Sequence, residues 1–194
     1  REVYEKSGDK EWLRKMAAYV KREYQFWMTA RHTNLELNRH GQHASKEFLL
    51  KFYNGLLHRR LKKPLDISDA DKLRISANYL SEAETGWDFN PRFEQRCPDF
   101  CPVDLNSNLW RYEKDLAFYS RELGLGEDAF YEEKAAARAE LMRRHLWNPK
   151  RGLFMDYDFV NMQHSSVACL ASFHPLWLGL ATKEETEATC RNLG

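Results

Sequence analysis

The sequence predicts an all-α fold arranged as an incomplete α/α toroid, and three observations predict it. Five or six stretches place apolar residues at helical spacing, and almost nothing alternates as a strand does. Long irregular segments join these stretches, whereas a simple bundle uses short connections. No 34-residue repeat of the helical-hairpin kind is present, which sets aside a solenoid.

The first helix is expected from about Asp9 to Ala30. Trp12, Leu13, Met16, Tyr19, Val20, Phe26 and Trp27 recur along it, and Ser7-Gly8-Asp9 supplies a turn and an N-cap. The polar run Arg31 to Ser45 reads as a loop. Lys46 to Leu61 is helical again through Phe48, Leu49, Phe52, Tyr53, Leu56 and Leu57, and Lys62-Lys63-Pro64 ends it. Ser68 or Asp69 caps a third helix expected to run through Leu80. Gly86 to Pro102 has no period and three prolines, so it is a loop, and long ordered loops commonly carry function. Val103 to Leu123 is helical with the stripe Leu105, Leu109, Tyr112, Leu116 and Tyr119, and Gly124-Leu125-Gly126 stops it. Asp104 is expected to cap the helix opening at Leu105. Glu127-Asp128 opens the next helix, to about Leu146. Trp147 to Gly152 is a turn, and Leu153 to Phe159 is β-like, giving a short β-hairpin near 150–160. His164 to Leu180 is mostly apolar with Pro175 inside it, and Thr182-Lys183-Glu184-Glu185 caps a last helix.

Composition narrows the function classes. Thirty Lys+Arg oppose 29 Asp+Glu for a net charge of +1, so no basic footprint for nucleic acid or an anionic membrane is present. No run of about 18 apolar residues exists to span a membrane, and Arg1-Glu2-Val3-Tyr4 is not a signal peptide. Six Trp, nine Tyr and eleven Phe suit either a large core or a carbohydrate site, where flat sugar faces stack on rings. Cys97 and Cys101 read as free or structural thiols, with a local disulfide as the alternative. They lack the two further closely spaced ligands a metal would need. No cofactor motif and no Ser-His-Asp arrangement appears.

The segment Glu84-Thr85-Gly86-Trp87-Asp88-Phe89-Asn90-Pro91-Arg92 concentrates candidate chemistry. Asp88 stands between two aromatic residues. Burial there would disfavour the charged carboxyl and raise its pKa, as a general acid requires. The alternative is a turn or cap aspartate. Arg92 suits a substrate hydroxyl or an ion pair with Glu84 or Asp88, the latter lowering the Asp88 pKa. Trp87 and Phe89 suit core or pocket wall more readily than a sugar platform. Asp156 and Asp158 flank Tyr157 on one face of a strand, without further ligands for a metal.

Several stretches, in order, resemble one family. Val3-Tyr4-Glu5-Lys6-Ser7-Gly8-Asp9-Lys10-Glu11-Trp12-Leu13 resembles the V-Y-x-K-T-G-D-x-x-W-L run of trehalases, and Leu37-Asn38-Arg39-His40 resembles their L-N-R-Y. Glu84 to Phe89 resembles E-S-G-W-D-Y/F, with Arg92 at the place of a recurring Arg. Pro102-Val103-Asp104-Leu105-Asn106 resembles P-V/I-D-L-N. Leu146-Trp147 with Gly152 to Asp158 resembles L-W-x-x-x-x-G-x-Y/W-x-D-Y-D. The resemblance spans residues 3 to about 158 and implies an inverting α,α-trehalose hydrolase on an (α/α)6 barrel. It implies Asp88 as the general acid and Gly86 along the sugar site, with a disaccharide or oligosaccharide as substrate; Arg39, Trp87 and Arg92 are the further candidates for contact with it.

Two departures bear on this. Where the family carries P-R-P-E-S-Y, this chain has His43-Ala44-Ser45-Lys46-Glu47-Phe48, which lacks the arginine. Processing α-glucosidase I and mannosylglycerate hydrolases share the barrel and carry a D-N-S-P-R acid motif. Asp88-Phe89-Asn90-Pro91-Arg92 lies between the two patterns, so an α-glucosidase or a mannosyl- or glucosylglycerate-type hydrolase is the alternative. Residues 1–194 are expected to be the middle portion of a catalytic domain, completed by a remainder that supplies the general base. The chain alone is then expected to be inactive. A non-catalytic helical carbohydrate-binding or scaffold module is the reading from a different class.

Overall fold

The computed structural model describes residues 1–193. Helix α1 (Glu2–Ser7) precedes Gly8, whose φ of 66° closes the turn into α2 (Lys10–Ala30). The Asp9 carboxylate caps α2 by accepting from the Glu11 and Trp12 amides. Helix α3 (Lys46–Phe52) passes through a π-helical turn at Tyr53–Leu57 into α4 (His58–Arg60), all within the single helix expected over 46–61. Gly55 sits in that turn, and the Tyr53 hydroxyl donates to Pro64 O beyond it.

Helix α5 (Asp69–Thr85) is capped by Ser68. It runs five residues past its expected end, because nothing between Ser81 and Thr85 breaks a helix and Asn78 hydrogen-bonds Glu82 one turn on (2.9 Å). Gly86 stops it in the left-handed region at φ 75°. Two 3₁₀ turns (Pro91–Phe93 and Cys97–Asp99) and the short strand β1 (Phe100–Cys101) fill the next loop.

Helices α6 (Val103–Leu123) and α7 (Asp128–His145) form an antiparallel hairpin. Asp104 lies inside the first turn of α6 rather than at its N-cap, which is Pro102. Then β2 (Trp147–Asn148) pairs with β3 (Leu153–Phe154), and β4 (Tyr157–Asp158) pairs with both β1 and β5 (Gln163–His164), all antiparallel. The expected hairpin is therefore two hairpins, the segment read as a turn starting in a strand. Helices α8 (His174–Leu178) and α9 (Lys183–Cys190) follow, Pro175 standing in the first turn of α8, where its missing N–H costs nothing. Thr182 and Glu185 close a capping box on α9.

The helical stripes do the packing. Leu13, Ala17 and Tyr24 of α2 meet Leu105, Leu109, Leu116 and Tyr119 of α6 in one core, and Tyr53, Leu57, Ile75 and Tyr79 form another between α3–α4 and α5. A third core joins α7 to the β segment through Met142, Leu146 and Phe154. The connections 61–68 and 124–127 are short. The three long ones, 31–45, 86–102 and 146–173, converge: Arg31 bonds Glu84, Arg39 bonds Pro98, Arg92 bonds Asp156, and β1 pairs with β4. Helices paired with their long loops gathered together are the arrangement of an α/α toroid.

Candidate active site

Where the long loops meet, a buried ionic lattice supports one exposed carboxylate. Arg92, only 2% exposed, holds two carboxylates at once. Its Nε and Nη2 donate to Asp156 (2.6 and 2.9 Å), and Nη1 and Nη2 donate to Asp104 (2.9 and 2.7 Å). The pair would leave one net negative charge in the interior. The start of α6 answers it, with the Val103 amide donating to Asp156 (2.9 Å) and the Leu105 amide to Asp104 (3.0 Å). Burial works to raise the Asp104 carboxyl, but the Arg92 hydrogen bonds overcome it and hold it below the usual range. The partners of Arg92 are thus Asp104 and Asp156, not Glu84 or Asp88. All three guanidinium nitrogens are committed to these carboxylates.

A second cluster ties loop 31–45 to the end of α5. Arg31 Nε and Nη2 donate to Glu84, Nη2 at 2.7 Å, and the Gly41 amide (2.9 Å) and His40 (3.3 Å) add to it. Burial would raise the Glu84 carboxyl, but hydrogen bonds from His40, Arg31 and Gly41 bring it down to about 2. Arg31 also contacts His43 (2.7 Å), a member of the segment that lacks the expected arginine.

The segment 82–92 itself divides sharply. Asp88 is exposed, and so are Gly86, Trp87 and Phe89. The flanking rings do not bury it as their order in the chain suggests. Phe89, at φ 56°, turns aside to stack on Tyr79 (5.0 Å between centroids), and Trp87 covers the Arg92 guanidinium at 5.8 Å. The buried carboxyl here is Glu82. It accepts from Asn78 and from the Phe89 amide (3.1 Å), and burial pushes its pKa up, with the Asp88 charge adding to the rise. Thr85 Oγ1 accepts from the Trp87 amide (2.8 Å), and Asn90 Oδ1 from the Arg92 amide (2.8 Å). The backbone on either side of Asp88 is therefore fixed while its side chain faces outward.

Gly86, Trp87 and Asp88 stand together with Arg92 beneath them. Arg39 does not join them: it donates to Pro98 O (3.0 Å) and lines a groove with His32, Asn34, Asp99 and Phe159. A separate cavity of about 200 Å³ opens beside Thr85, lined by Trp27, His40, Glu84, Asp104, Asn108 and Tyr112, carboxylates and rings together. Sequence reasoning missed Glu82 and the Asp104–Arg92–Asp156 clamp. Cys97 and Cys101 are buried free thiols, and burial pushes Cys101 up to about 12. Among the described residues no group of His, Cys, Asp and Glu could hold a metal ion, and no helix is long and apolar enough to cross a membrane.

Comparison with known proteins gives these positions a context. Residues 1–193 match the family model described as Trehalase. The chain is 32% identical over 115 residues to the cytosolic neutral trehalase of Saccharomyces cerevisiae, a stretch covering 54% of this chain and 15% of that protein. The solved structure of the neutral trehalase from the same yeast superposes with a TM-score of 0.71 at 25% identity, over 89% of this chain and 37% of that one. A GH63 mannosylglycerate hydrolase from Thermus thermophilus, solved with glucose, shares the fold with a TM-score of 0.58 at 22% identity, over 97% of this chain and 47% of that one. The chain thus spans less than half the length of these relatives.

Proposed function

This chain belongs to the trehalase family, and from that premise we propose that it contributes the acid half of a glycosidase site that hydrolyses α,α-trehalose to two glucose molecules with inversion. The observation that carries the proposal is Asp88, exposed on a loop whose backbone is fixed on both sides by Thr85, Glu82 and Asn90 and braced from below by the Arg92 clamp. An acid must meet its leaving group in a defined place.

Asp88 in its protonated form donates to the glycosidic oxygen as the C–O bond breaks. A sugar lying over Asp88 and the Trp87 ring removes water from the carboxyl and favours that form. A second carboxylate, about 6.5–9.5 Å away across the sugar, takes a proton from the water that attacks the anomeric carbon. Glu82 is fully buried and Glu84 is held by three donors, so both act as supports of the acid loop. We assign the base to other residues of the catalytic domain, with residues 1–194 acting as its middle portion, nearly inactive alone. Gly86 lets the chain turn under the sugar, and the polar cavity beside Thr85 offers hydrogen bonds to its hydroxyls. Arg92 acts by holding the loop, four of its five N–H donors being occupied.

In the whole catalytic domain, Asp88→Asn is expected to lower kcat for trehalose by about 10²–10⁴. Unchanged turnover would overturn the assignment of the acid. Clear hydrolysis of trehalose by the 194-residue chain, abolished by the same substitution, would place the base within these residues. A second reading, an α-glucosidase or mannosylglycerate-type hydrolase of the same barrel, draws on the missing arginine in 43–48, where His43 meets Arg31 instead. A panel of trehalose, kojibiose, nigerose and mannosylglycerate separates the two, since the preferred substrate should exceed the others in kcat/KM.

A further inference from the structure

A second cavity, of about 670 Å³, lies between α2 and α7, and none of its lining residues belongs to the acid loop. Its floor carries an incomplete hydrogen-bond pattern. Glu113 is 1% exposed, and its Oε1 accepts from the Tyr24 hydroxyl and from Arg138 Nε, both at 2.9 Å. Among the described residues its Oε2, equally buried, has no partner. Arg138 Nη1 donates to Asn38 Oδ1 (2.9 Å) and Asn106 Oδ1 (3.1 Å), but Nη2 reaches only the weakly accepting Met28 sulfur at 3.5 Å. A buried carboxylate oxygen without a donor is uncommon in folded proteins and calls for a missing partner.

Charge selects the partner. A cation entering the floor would meet Arg138, with Arg22 and Lys134 on the walls, and an anion would meet Glu113. Lys21 and Glu127 neutralise one another at the rim. A neutral hydroxyl suits both vacant valences, because it donates to Oε2 while accepting from Nη2. The walls add apolar surface. Phe130 is 53% exposed, packs edge-on to Tyr131 (5.1 Å) and carries the Lys134 ammonium over its ring at 5.5 Å, which leaves apolar ring surface for a carbohydrate's C–H face.

We propose that the cavity between α2 and α7 is a binding site for a neutral polyhydroxylated small molecule, such as a hexose or glycerol, anchored by a hydroxyl on Glu113 and Arg138. It is separate from the Asp88 loop and stands whether or not Asp88 is the acid.

The test is a titration of the whole catalytic domain, isotopically labelled, with D-glucose, and then glycerol, followed by amide chemical shifts. Saturable shifts are expected at the amides of Met28, Glu113, Phe130 and Arg138, with a dissociation constant on the order of millimolar for a ligand this small. Ala137 lines the cavity from an exposed position on α7, so Ala137→Trp fills the space without touching the floor and should abolish these shifts. Glu113→Gln should weaken binding at least tenfold. If that variant disturbs the fold, Ala137→Trp still decides. Shifts absent from the cavity amides would mean that Oε2 is served by water alone and would overturn the proposal. So would shifts that survive Ala137→Trp, or that are confined to residues 82–92.

Discussion

Two regions whose centres, Asp88 and Arg92, stand four residues apart in the chain are built on opposite terms. The Arg92 clamp is wholly interior: three charged groups from three elements, each hydrogen bond between 2.6 and 2.9 Å, with the first turn of α6 helping to neutralise them. The tip at Asp88 is exposed, and its turn is made by Gly86 at φ 75° and Phe89 at φ 56°. Chemistry that must touch a substrate belongs on the second kind of structure, and precise placement of that chemistry needs the first. The expectation is therefore a split: changes in the clamp should cost stability, and a change of the Asp88 side chain at the tip should cost activity alone.

The largest effect on stability is expected from breaking the clamp. Arg92→Ala leaves Asp104 and Asp156 facing each other unneutralised in the interior, for about 3–5 kcal/mol of lost stability by chemical denaturation. A loss below about 1 kcal/mol would mean that water enters and that the clamp does not brace the loop. Next comes Glu84, where Glu84→Gln forfeits charge-assisted bonds to Arg31, His40 and Gly41 worth about 1.5–3 kcal/mol in all near neutral pH. The sign with pH follows from its folded pKa of about 2, below the ordinary 4.5. Its stabilisation is present above the unfolded value and fades as pH falls through about 4.5 toward 2. The gap between wild type and Glu84→Gln should shrink over that window, and a gap independent of pH would show that Glu84 is not the ionised partner.

The same contrast explains what the sequence disclosed. Helices α2 and α6 were legible because apolar residues such as Leu105, Leu109, Tyr112, Leu116 and Tyr119 recur at helical spacing and recognisable residues cap or stop them, and α7 from its opening at Glu127-Asp128 and its alternating charges. The family was legible from the order of its motifs. What stayed hidden was long-range pairing. Arg92 reaches Asp156, 64 residues away, and nothing local distinguishes that partner from Glu84 or Asp88. The setting of Asp88 was misjudged for a related reason. Neighbours in sequence are not neighbours in space where φ turns positive, and Phe89 uses that turn to stack on Tyr79. Short strands of two residues, such as β2 and β5, carry no alternation long enough to read.

Smaller effects probe the tip. A Cβ at Gly86 would meet nothing within 4 Å, so Gly86→Ala is opposed only by the left-handed backbone, about 1–2 kcal/mol. A larger loss would reveal packing around the turn. The smallest effect on stability is expected at Asp88. Its side chain is exposed and takes no hydrogen bond or ion pair among the described contacts, so Asp88→Asn should lie within about 0.5 kcal/mol of wild type in a denaturant midpoint. Measured together with hydrolysis in the whole catalytic domain, this variant separates the two regions most cleanly. A fall in turnover without a fall in stability assigns Asp88 to chemistry. A fall in both would mean that the tip, like the clamp, is part of the scaffold, and the acid would then have to be sought among other carboxylates.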